Sequence, residues 1–155
     1  MKVSKIAEGL WAWGVGQCSS AYLEHGDVMI FVDPLLPPPG DDRDRFTRAI
    51  NRDLARLGGP VHVLLTRHGH PRDADALVAM TGGTVWHPGM GPSPAGMHAL
   101  PVGEGAVALW SPVHRALVVP DAVQAEGGMG LDPAAIIVTS RPLSCPEHPV
   151  DDRAE

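Results

Sequence analysis

Only two cysteines occur in the 155 residues, Cys18 and Cys145, too far apart for a local metal knuckle. So few make a disulfide framework an unexpected outcome and point to a reducing, cytoplasmic setting. Cys18 reads as a small buried side chain on a strand, and Cys145, among prolines, is given no role. Long apolar runs are missing as well. The longest, from Val28 through Asp33-Pro34 to Leu36, falls far short of the roughly 20 residues of a membrane-spanning helix. The opening Met1-Lys2-Val3-Ser4-Lys5 lacks the apolar stretch of a secretory signal. Positive charge is scarce: 12 Lys and Arg against 18 Asp and Glu give a net charge of −6. With both signs interspersed, no basic face is left to neutralise phosphates, and nucleic acid is not an expected partner. No Gly-x-Ser-x-Gly elbow surrounds Ser19 or Ser20, which sets aside serine hydrolases. No glycine-rich phosphate loop of the Rossmann or P-loop type occurs either.

What the chain does have is an apolar fraction of 44%, enough for a buried core in one domain. Its 18 glycines and 16 prolines suit short strands joined by many turns. Alternation predicts a first strand over 6–13, then a hairpin of 19–24 and 28–32 across His25-Gly26-Asp27. Pro34 and Pro37-Pro38-Pro39 interrupt pairing before a helix over 43–57, whose face carries Phe46, Ala49, Ile50, Leu54 and Leu57. The near-continuous apolar run 61–66 predicts a buried central strand. A short helix over 73–80 and a brief strand over 84–87 follow. Further strands are predicted over 97–101, 106–110, 115–119 and 134–140. The single domain spans 1–141, with 142–155 as a flexible tail. Strands alternating with helices make a layered α/β protein.

One turn carries most of the chemistry. The apolar strand 61–66 stops at Arg67-His68-Gly69-His70-Pro71-Arg72-Asp73, with two histidines one residue apart and a carboxylate three further on. A strand end fixes where such a loop begins, and imidazole suits zinc, iron and copper. The alternative is a solvated turn whose histidines bind nothing. Asp73, just before the helix, is placed as its N-cap, with a ligand role as the alternative. His62 reads as a packed core or edge residue, and His87 and His114 as solvated turn residues. Trp11, Trp13, Trp86 and Trp110 read as core or cleft-wall aromatics.

The turn resembles the His-x-His-x-Asp-His signature of the metallo-β-lactamase superfamily. Trp11-Ala12-Trp13, the hairpin ending in Asp33-Pro34, and 115–121 resemble that family's opening strands and the strand leading to its metal-bridging aspartate. The resemblance implies an αββα sandwich, pared down at the C-terminus. It implies a metal set drawn from His68, His70, Asp73, His98 and Asp121, with zinc as the ion. It also exposes departures. Arg72 stands where the family has aspartate, Asp73 where it has histidine, and Arg141-Pro142 where its last histidine follows the final strand. A guanidinium has no lone pair and repels a cation, so one ion and not two is expected. If Arg72 and Arg141 both face the cleft, a metal-free anion pocket is the alternative. The function implied is a weak zinc-dependent hydrolase of an ester, thioester or amide; the alternative is a non-catalytic small-molecule or partner-binding module on the same fold.

Overall fold

The first departure from the sequence pattern is at Glu8-Gly9. Instead of one strand over 6–13, the chain folds into β1 (Lys2–Ala7) and β2 (Leu10–Val15), an antiparallel hairpin. The alternation that suggested a single strand runs through the turn, and only Gly9, at φ 70, marks it. The computed structural model describes residues 1–120 and 131–139. β2 pairs with β3 (Cys18–His25), and β3 with β4 (Val28–Val32), both antiparallel. The prolines after Asp33 end pairing, and α1 (Asp41–Leu57) returns the chain to β5 (Val61–Leu64), parallel to β4. α2 (Ala74–Thr81) then leads to β6 (Thr84–Trp86), parallel to β5. The six strands form one sheet in the order β1-β2-β3-β4-β5-β6. A second sheet, β10-β9-β8-β7, is built from β7 (His98–Gly103), β8 (Ala106–Ser111), β9 (Ala116–Val119) and β10 (Ala135–Val138).

Two apolar layers result. Between the sheets lie Leu10, Leu23, Ile30, Val32 and Leu64 against Val107, Leu109, Val118 and Ile137. On the outer face of the first sheet, Trp13, Phe31 and Val63 pack under Phe46 and Ile50 of α1 and Leu77 of α2. Each large side chain so buried contributes about 1.5–3 kcal/mol. The run 61–66 reads as continuously apolar because β5 is covered on both faces. The described residues thus supply helix, sheet and sheet layers, and both of their helices lie on the first sheet. The predicted tail falls outside the described residues. No described helix is long and apolar enough to cross a membrane.

The sheets are fastened at both ends. At one end, Val107 N–H donates to Thr66 O at 2.8 Å and His68 N–H to Gly105 O at 3.1 Å. At the other, His25 Nδ1 lies 2.7 Å from Ala95 O, so it must be the protonated nitrogen. Its Nε2 lies 2.8 Å from Ser111 Oγ, which in turn lies 3.0 Å from His114 Nδ1. His25 and His114 are thus more than solvated turn residues: their rings stack 5.4 Å apart across the sheet boundary. Cys18 is buried on β3, as expected.

Candidate functional site

β4 and β5 run parallel, so Asp33 and Thr66, each just past an apolar run, emerge at the same end of the first sheet. The Asp33 carboxylate is 3% exposed and is met by donors from two other segments. Its Oδ1 accepts Thr66 N–H at 2.8 Å, and its Oδ2 accepts the hydroxyls of Thr66 and Thr139 at 2.5 Å each. Its backbone carbonyl accepts from Ser20 Oγ at 2.8 Å. Charge-assisted bonds of this kind are what allow a carboxylate to be buried.

Arg72 completes the cluster. Its side chain turns inward and donates from Nη1 to Ser19 O at 2.9 Å and Asp33 O at 2.8 Å, and from Nη2 to Thr139 O at 2.6 Å. One guanidinium thereby ties the start of β3, the end of β4 and the residue just past β10. Burial lowers its pKa, while the nearby charges of Asp33 and Asp73 pull the other way. Arg72 and Asp33 both hold left-handed backbone, at φ 49 and 47. A non-glycine residue stays there only when its surroundings over-determine it, and such residues concentrate at functional sites.

The remaining candidates are dispersed. Asp73 occupies the N-cap position of α2, but its side chain makes no capping bond, contrary to expectation. Its Oδ2 accepts Leu36 N–H at 2.7 Å, because the turn into α2 runs alongside the proline-rich loop. His68 is exposed, and its ring lies 4.8 Å from that of His87. His70 is exposed as well. His98, the first residue of β7, pairs with Trp110, whereas the motif end of the molecule meets Ala106 through Arg67. Four residues of strand, about 14 Å, separate those two levels. Asp121 and Arg141 lie outside the described residues. Sequence reasoning missed Thr66, Thr139 and His87. Only the parallel alignment of β5 and β6 brings His87 to this rim, and local spacing carries no such signal.

The described residues do not by themselves make up a zinc centre. Among the described residues, no three His, Cys, Asp or Glu side chains converge as a donor set. The half-buried Arg72 guanidinium places a positive charge beside Asp33. Zinc sites require three or four lone-pair donors around one point.

No family model and no curated protein matches the sequence. Solved structures do match in shape. A metallo-β-lactamase of Cronobacter sakazakii with a HARLDQ motif is 16% identical, with a TM-score of 0.51 over 79% of this chain and 63% of that one. The crystal structure of ETHE1 from Myxococcus xanthus is 18% identical, with a TM-score of 0.41 over 66% of this chain and 52% of that one. The chain therefore spans between half and two-thirds of the length of these structures. It has the metallo-β-lactamase fold.

Proposed function

We propose that this chain is a non-catalytic binding module on the metallo-β-lactamase fold, with a half-buried arginine at the rim where the family signature has a carboxylate. The observation that supports this is the set of three carbonyl bonds made by Arg72. A guanidinium has no lone pair with which to ligate an ion, and its charge opposes a divalent cation nearby. Elemental analysis after zinc reconstitution of untagged protein, with a thioester hydrolysis assay alongside, tests the reading. Zinc well below one ion per chain and no hydrolysis above buffer are expected. Stoichiometric zinc with turnover overturns it.

A weak hydrolase holding one zinc is the second reading, and His87 favours it. Its Nδ1 lies 2.9 Å from Pro88 O, which as an N–H donor leaves Nε2 bare beside the His68 ring. Metal-ligating histidines are commonly oriented by such a bond. On this reading His68→Ala and His87→Ala lower zinc content together.

A further inference from the structure

We propose that the outer face of the first sheet, beside α1, is a binding groove for a flat aromatic carboxylate. Strand register places Trp11 opposite Tyr22 and Tyr22 opposite Phe31. The three rings form a row across the sheet, with centroids 5.3 and 5.0 Å apart. α1 lies over this face and buries Phe46 and Ile50, and its Asp42 pairs with the Met1 ammonium just before β1. A cleft of about 520 Å³ remains between the helix and the first two strands, with Trp11 half-buried in its floor. That size suits a small molecule, and an aromatic floor favours a flat ring stacked or edge-on.

Charge at the rim selects the sign of the ligand. Asp42 is paired with the Met1 ammonium at 2.5 Å and with Arg45 at 2.8 Å, and Asp53 with Arg56 at 3.1 Å, so both rim carboxylates already have cations. Arg52, on the same bank, is exposed and has no ion-pair partner among the described residues. Its planar donor fork matches a carboxylate in two-point geometry. A ring against the half-exposed Trp11, with its carboxylate turned toward Arg52, satisfies both features at once. The groove shares no residue with the Arg72 cluster. Its test is therefore separate from that of the rim, and either reading can fail alone.

Calorimetric titration of the full chain with 2-naphthoate, with 2-naphthalenemethanol as the uncharged control, reads the proposal directly. Saturable binding of the acid is expected, with the alcohol weaker. R52Q, a change on an exposed helix position, should weaken the acid roughly tenfold and leave the alcohol unchanged. A49F, which fills the cleft from the helix side, should abolish binding of both. No saturation by the parent protein, equal affinity for acid and alcohol, or an R52Q variant that binds like the parent overturns the proposal. Sedimentation showing a dimer that A49F dissociates assigns the groove to a second copy of the chain, and this also overturns it.

Discussion

The guanidinium of Arg72 donates to the backbone carbonyl of Asp33 at 2.8 Å, and both residues hold left-handed backbone, at φ 49 and 47. Each strained conformation costs on the order of 1–3 kcal/mol. The bonds around the pair must offset that cost: two threonine hydroxyls and one N–H to the carboxylate, and three carbonyls to the guanidinium.

Replacing Arg72 should therefore destabilise the fold far more than a loop substitution does. Arg72→Ala removes one donor from each of three carbonyls, of which Asp33 O keeps Ser20 Oγ, and keeps the strained φ, for a loss of about 3 kcal/mol. Arg72→Gly loses the same bonds but relaxes the backbone, so it should be more stable than the alanine variant by about 1 kcal/mol. Urea unfolding of the three proteins checks both the size and the order. An alanine variant equal to the glycine variant would mean that the backbone is not strained.

Restoring the superfamily signature with Arg72→Asp and Asp73→His should be costly as well. At a loop-to-helix junction such changes ordinarily cost about 0.5–1 kcal/mol. Here the second change also removes the acceptor of Leu36 N–H. The double variant should unfold at lower urea than Arg72→Ala alone. A midpoint near that of the parent would contradict the inward placement of Arg72.

Thr66→Val and Thr139→Val each remove one hydroxyl from the same carboxylate oxygen of Asp33. Each should cost about 1–2 kcal/mol, because the carboxylate stays buried with fewer donors. Sharing an oxygen couples them, so the double variant should deviate from the sum. Chemical denaturation of the two single variants and the double variant measures the coupling.

Stability should fall as pH is lowered through the range below about 6.5, the ordinary histidine value. Burial depresses the His114 pKa, and the stacked His25 adds to this, against the opposing pull of Glu24 and the Glu8 backbone carbonyl. A depressed folded-state pKa means that the unfolded chain binds the proton more readily. The contribution is therefore complete above the unfolded value and is lost as pH drops through the folded one. His114→Gln should flatten the difference in urea midpoint between pH 5.5 and 7.5. An unchanged pH profile in that variant would remove His114 as its source.

The sequence revealed the strands better than it revealed their partners. β4 and β5 were readable because burial on both faces leaves a continuous apolar run, and α1 because its apolar face repeats at helical spacing. Asp33 was readable as a strand-end carboxylate, and the motif at His68 located the rim. The donors to Asp33 were not, since they come from 33 and 106 residues away and threonine carries no distinctive signal. The inward turn of Arg72 rests on a left-handed backbone, which sequence announces only for glycine and asparagine. Asp73 was misjudged because position implied a cap, while the neighbouring proline-rich loop offered its carboxylate a different N–H. The hairpin at Glu8-Gly9 was hidden because alternation ran through it.

The three carbonyls gripped by Arg72 lie 53, 39 and 67 residues from it along the chain. Contacts that distant cannot close until the segments carrying them have docked, and Thr139 arrives only with β10, the last strand described. The arginine thus fastens a structure that has already formed. Interactions made after the folding barrier leave the rate of folding nearly untouched and slow the rate of unfolding. Arg72 acts as a latch on the lifetime of the native state, governing how rarely it opens and how seldom a protease finds it open.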